Sequence, residues 1–233
     1  MPMTTFDAPA GPLPGYSAEP EGPGPWPGVV IVHDAFGLGA DVRRITDRFA
    51  ANGYLAIAPA LFRRGNRLRC VVSTLKSLQD GRGPAVDDVL AAAAHLRADA
   101  RCTGKVGSVG FCMGGGFALL TAPSGTFDAA APNYGIWPPN KEELSRACPT
   151  VASYGAKDRM LKGAAAELEE RLASGGVASD VKEYPGVGHS FMNDWGTPAP
   201  LRFVERTAGL AYSRPEAEDA WQRILAFFGE HLR

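Results

Sequence analysis

The sequence predicts an α/β fold, a doubly wound and mostly parallel sheet flanked by helices and preceded by an antiparallel hairpin. Two observations carry this. From Gly28 onward, short apolar runs alternate with segments of helical period, the signature of right-handed βαβ units. Before Gly28, eight prolines in 27 residues suit turns and edge strands. In chain order, Thr4–Phe6 and Leu13–Tyr16 are read as the hairpin strands. Then come strand Val29–Val32, helix Asp41–Asn52, strand Tyr54–Ala58, helix Ala85–Ala100 and strand Val106–Phe111. Helix Met113–Ala122 is followed by strands Ala129–Tyr134 and Thr150–Tyr154, helix Lys162–Ser174, strand Asp180–Tyr184 and helix Pro215–His231. Pro215 suits a first helical turn, and Trp221, Ile224, Leu225 and Phe228 share one face of that closing helix. One domain spanning residues 1–233 is expected, without internal repeats.

The most informative residue is Cys112. It ends an apolar strand abruptly and is followed by Met113-Gly114-Gly115-Gly116, a small-residue helix start. Gly110-x-Cys112-x-Gly114 has the layout of a nucleophile elbow with a thiol in place of the hydroxyl. At such a turn the backbone passes so close that side chains two residues either way must be absent. The helix N-terminus favours thiolate and any developing oxyanion. Two partners for a thiol nucleophile stand downstream, each just past a predicted strand. Asp158 ends the loop after Thr150–Tyr154, and His189 follows Asp180–Tyr184 in the turn Pro185-Gly186-Val187-Gly188. Nucleophile, acid, histidine at 112, 158 and 189 is the α/β-hydrolase order. In such sheets ligands bind beyond the carboxyl ends of the strands, where all three residues fall.

Composition limits the other possibilities. A net charge of −1 offers no general attraction to nucleic acid or to an anionic membrane. No apolar run approaches the ~20 residues that span a bilayer, and no secretory signal pattern is visible, so no membrane role and a cytoplasmic location are expected. The four cysteines, Cys70, Cys102, Cys112 and Cys148, show neither CxxC pairing nor disulfide spacing, which suits a reducing compartment. No histidine pair has metal-ligand spacing, and neither metal nor cofactor is expected. The abundance of alanine and of arginine over lysine is a compositional hint of a bacterial source.

The chain resembles the dienelactone hydrolase family, whose carboxymethylenebutenolidase-like members have the α/β-hydrolase fold. The resemblance runs from about Thr4 and rests on His33-Asp34-Ala35-Phe36-Gly37-Leu38, Gly110-Phe111-Cys112-Met113-Gly114-Gly115, Lys157-Asp158 and Gly188-His189-Ser190-Phe191-Met192. Ala51-Asn52-Gly53-Tyr54 and Pro59-Ala60-Leu61-Phe62 support it. It implies that Cys112, Asp158 and His189 are catalytic and that the substrate is a small ester or lactone cleaved through a thioester. Backbone N–H groups of Ala35 and Met113 are the expected oxyanion hole. Where the family commonly has a glutamate beside the resting cysteine, this chain has Asp34, one methylene shorter, which makes it a candidate modulator of the nucleophile. Because family substrates are anionic lactones, Arg63 and Arg64, with Arg67 and Arg69 in the loop after the second parallel strand, and Arg202 and Arg206 are candidates to hold a carboxylate. Phe36, Tyr134 and Trp195, with Trp137, Phe191 and Met192, are candidate pocket walls. A monomer is the expected state, with a dimer as its alternative.

Plainer roles exist for these residues. Asp158 is a good cap for a following helix, His189 a turn histidine, and His33 a strand-end hydrogen-bonder. The four arginines after the second strand also read as a solvated basic loop. Cys70, Cys102 and Cys148 read as small apolar residues. His95 and His231 read as surface histidines. Two other functions fit a thiol at such an elbow: a redox sensor, which needs no ordered Asp and His, and a non-catalytic binding protein of the same fold.

Overall fold

The computed structural model describes residues 3–139, 141–198, 200 and 202–233. Eight strands form one sheet in the order β1-β2-β4-β3-β5-β6-β7-β8. The hairpin β1 (Met3–Phe6) and β2 (Leu13–Ala18) is antiparallel, and β2 joins β4 (Leu55–Pro59) antiparallel as well. The other strands run parallel: β3 (Trp26–Val32), β5 (Cys102–Phe111), β6 (Ala129–Asn133), β7 (Thr150–Gly155) and β8 (Ser179–Tyr184).

Burial on both faces explains why the central strands are continuous apolar runs. Val29 and Ile31 of β3 pack with Val42, Ile45 and Phe49 of α1 (Ala40–Ala51) and with Trp221 and Phe228 of α7 (Arg214–Leu232). Val30 and Val32, on the other face, pack with Val89 and Leu96 of α3 (Pro84–Ala98) and Phe117 of α4 (Met113–Thr121). α5 (Ala164–Ser174) covers the β7–β8 edge on the face opposite α1. Among the described residues, no helix is long and apolar enough to cross a membrane.

Two helices depart from the sequence reading. Residues Arg67–Asp80 form α2, so Arg67 and Arg69 stand on a helix rather than in a basic loop. Its signals were its ends. Asn66 accepts the Arg69 N–H at 3.2 Å as N-cap, and Gly81 adopts the left-handed conformation past the last turn. The apolar periodicity was obscured because Leu68, Val72 and Leu75 face solvent. The other is the short α6, Arg202–Ala208, between β8 and α7.

Candidate active site

Cys112 sits between β5 and α4 with φ +56° and ψ −114°, a strained conformation for a residue with a Cβ. The surrounding glycines are sterically required. A Cβ on Gly110 would lie 1.9 Å from the Gly114 carbonyl oxygen, one on Gly114 2.0 Å from that of Val32, and one on Gly115 2.5 Å from that of Asn133. The Cys112 N–H donates to the Asn133 carbonyl oxygen at 3.1 Å. The first N–H groups of α4, beginning at Met113, have no intrahelical acceptor and follow Cys112 directly in the chain.

Asp158 and His189 meet across the ends of β7 and β8. Both are buried, and Nδ1 of His189 donates to Oδ2 of Asp158 at 2.6 Å. The carboxylate can only accept, so the proton belongs on Nδ1. Nε2 is buried and makes no well-formed hydrogen bond. Burial disfavours a charged imidazole, but the Asp158 hydrogen bond and the nearby Cys112 outweigh it and raise the His189 pKa from 6.5 to about 9. Oδ1 of Asp158 accepts the Met160 N–H at 2.9 Å, so one carboxylate both shapes its turn and holds the imidazole.

Behind His189, Tyr134 is fully buried with φ +38° and its ring edge-on to the imidazole at 5.2 Å. Its hydroxyl donates to Oδ1 of Asn193 at 2.7 Å, and Nδ2 of Asn193 donates to Oδ2 of Asp41 at 2.7 Å. Asp41 also pairs with Arg44. Tyr134 therefore does not line an open pocket; it packs against the imidazole from the core side, Phe191 packs on Tyr134 in turn, and Phe191 and Met192 are equally buried. Asn193 and Asp41 escaped notice because each lies outside any motif and they meet only in the fold, 152 residues apart.

At the exit of β3, His33 is fully buried and its Nδ1 donates to the Asp34 carbonyl oxygen at 2.7 Å. Burial pushes its pKa down from 6.5 to about 4, so the ring is neutral. The side chain of Asp34 has partners other than a thiol. Oδ1 accepts the Phe36 N–H at 2.8 Å and Oδ2 the Trp195 Nε1–H at 2.9 Å. Burial raises the Asp34 pKa, and those bonds oppose the rise. Ala35, between Asp34 and Phe36, is exposed. Phe36 is exposed too and stacks edge-on against Trp195 at 4.9 Å. Both rings line a cleft of about 430 Å³ together with Asp34, though Cys112 lies outside that lining.

The arginines divide. Arg64 is drawn away from the site by a 2.7 Å ion pair with the buried Asp88 and a bond to the Gly11 carbonyl oxygen. Arg67 donates to the Phe36 carbonyl oxygen at 3.0 Å and lines, with the exposed Arg63, a separate cleft of about 380 Å³. Arg206 is exposed on α6, and the side chain of Arg202 lies outside the described residues. Burial pushes the Cys148 thiol up to about 12, as suits an inert cysteine. Among the described residues, no group of three or more His, Cys, Asp or Glu is placed to hold a metal.

Known proteins match both the sequence and the fold. The sequence model of the dienelactone hydrolase family matches residues 13–232. Proteins of Synechocystis sp. and Escherichia coli, both named "Putative carboxymethylenebutenolidase", are each 29% identical over 94% of this chain, covering 92% and 83% of their own lengths. A solved dienelactone hydrolase-family structure from Klebsiella pneumoniae aligns with a TM-score of 0.79 and 25% identity, over 98% of both chains.

Proposed function

This chain belongs to the dienelactone hydrolase family, and from that premise we propose that it cleaves an ester or lactone through a Cys112–His189–Asp158 triad. One observation carries the assignment: the strained Cys112 at the start of α4 lies beside a buried imidazole whose other nitrogen is held by Asp158 at 2.6 Å. In this reading Cys112 has passed its proton to His189, whose pKa of about 9 keeps it there at neutral pH, and the thiolate attacks the carbonyl carbon. The tetrahedral oxyanion is held by the backbone N–H groups of Met113 and Ala35, each worth roughly 3–4 kcal/mol of transition-state stabilisation. Collapse expels the alkoxide, which receives the proton from His189, and leaves a thioester on Cys112. Water then attacks the thioester carbonyl, giving its proton to His189, and the acid product departs as Cys112 is restored. Asp158 holds the imidazole in the tautomer that leaves Nε2 facing the sulfur, and stabilises the imidazolium.

The test compares wild type with Cys112→Ala and Cys112→Ser on p-nitrophenyl acetate and a dienelactone. Turnover by wild type that disappears in the alanine variant is the expected result. If wild type turns over neither compound while iodoacetamide still alkylates Cys112, the hydrolase reading fails and a thiol sensor replaces it.

A further inference from the structure

Resting on the hydrolase reading, we propose that the cleft beside Asp34 receives an uncharged hydrocarbon acyl chain, so that the preferred substrates are neutral medium-chain esters rather than carboxylate-bearing lactones. Asp34 opens the cleft and immediately precedes Ala35, the N–H assigned to the oxyanion. In this proposal the acyl chain leads from that carbonyl past Asp34 into the cleft, whose apolar wall is Phe36, Val42, Trp195, Val204 and Leu210. A volume of about 430 Å³ is ample for such a chain.

Charge decides which chain. Among the described residues, the ionisable side chains lining the cleft are all acidic: Asp34, Asp41 and Glu205. Asp41 is answered by Arg44 and Asn193, and Glu205 accepts a hydrogen bond from the Thr197 hydroxyl. Asp34 is held by neutral donors, the Trp195 indole and the Phe36 and Gly37 N–H groups. Among the described residues a carboxylate entering here would lose water and meet no cation, and an ionised Asp34 would repel it. The N-terminus of α1, a positive feature, reaches the wall at Gly39 and Ala40, and Asp41 in its first turn already faces that partial charge. Arg63 and Arg67, which would attract an anion, line the other cleft, on the far side of Phe36.

The rim agrees. Phe36, Ile136, Met160 and Phe203 are exposed large apolar residues, and each follows the carboxyl end of a different parallel strand: β3, β6, β7 and β8. Another exposed apolar group, Leu68, Val72 and Leu75, stands on α2.

The experiment measures kcat/KM for p-nitrophenyl acetate, butyrate and hexanoate, and for mono-p-nitrophenyl glutarate, which resembles the hexanoate in length but ends in a carboxylate. Wild type is expected to gain at least tenfold from acetate to hexanoate and to lose at least tenfold from hexanoate to glutarate. Ala208 is exposed on α6 and lines the cleft, so Ala208→Trp should fold and should collapse the hexanoate-to-acetate ratio. Glu205→Lys should narrow the gap between hexanoate and glutarate. A flat chain-length profile, a glutarate rate equal to or above the hexanoate rate, or an unchanged ratio in Ala208→Trp would each overturn the proposal while Cys112-dependent acetate turnover persists. A glutarate preference lost in Arg67→Gln would move the acyl group to the basic cleft. If wild type turns over no ester at all, it is the hydrolase reading that falls, and this inference with it.

Discussion

His33 and His189 invite comparison because they are built alike and behave oppositely. Each follows a parallel strand at the carboxyl edge of the sheet, each is buried, each is bonded through Nδ1 at 2.6–2.7 Å, and each has an Nε2 without a protein partner. The difference is the acceptor. His33 faces a neutral backbone carbonyl, burial prevails, and the pKa falls to about 4. For His189 burial acts the same way, but the Asp158 carboxylate and Cys112 overcome it and the pKa rises to about 9. Burial alone does not make a histidine a base; the charge placed behind it does.

Removing that charge should have the largest effect. Asp158→Asn keeps the shape of the acceptor but not its charge, and kcat at pH 7 should fall by about 10⁴-fold if the amide lets the imidazole adopt the wrong tautomer. NMR titration should show the His189 pKa dropping from about 9 toward or below 6.5. An unchanged titration would show that the carboxylate is not what separates the two rings.

The next effect is on stability. A depressed His33 pKa means that the unfolded chain binds the proton more readily, so its contribution is present above pH 6.5 and is lost as pH falls toward 4, by about 3 kcal/mol over that window. The raised His189 pKa acts in the opposite sense: its contribution is present below pH 6.5 and is lost as pH rises to about 9. Denaturant unfolding from pH 4 to 9 should therefore show both limbs. His33→Leu should flatten the acid limb and Asp158→Asn the alkaline one, whatever offset each variant adds. An acid limb equally steep in His33→Leu would assign it to other groups.

The smallest expected effect concerns the residue whose carbonyl His33 holds. Trp195→Phe removes one donor from the Asp34 carboxylate and should cost about 1 kcal/mol in unfolding free energy. It should also raise the Asp34 pKa further, because the indole bond opposes the effect of burial there. Carboxyl NMR reads the shift directly, and a fall in the Asp34 pKa would contradict the hydrogen-bond account.

Much of this was legible in the chain itself. Steric exclusion at Gly110, against the Gly114 carbonyl, is local, so the elbow announced itself in ten residues, whereas the Val32 carbonyl that excludes a side chain at Gly114 comes from β3. The parallel sheet was legible because strands buried on both faces are written as apolar runs. Asp158 and His189 were found because each stands just after such a run. α2 was missed because Leu68, Val72 and Leu75 turn outward, so the helical period did not coincide with a buried face.

Local sequence determined the turn that strains Cys112, the order of the strands and the residue types at their ends. Tertiary structure alone decided how each side chain is answered. It set Asp158 behind His189 and a carbonyl behind His33, sent Arg64 to Asp88 and joined Asn193 to Asp41. It also gave Asp34 to Trp195, 161 residues away. Steric rules act between neighbours in the chain and can be read from it, whereas electrostatic pairing depends on distance in space, which exists only once the sheet has formed.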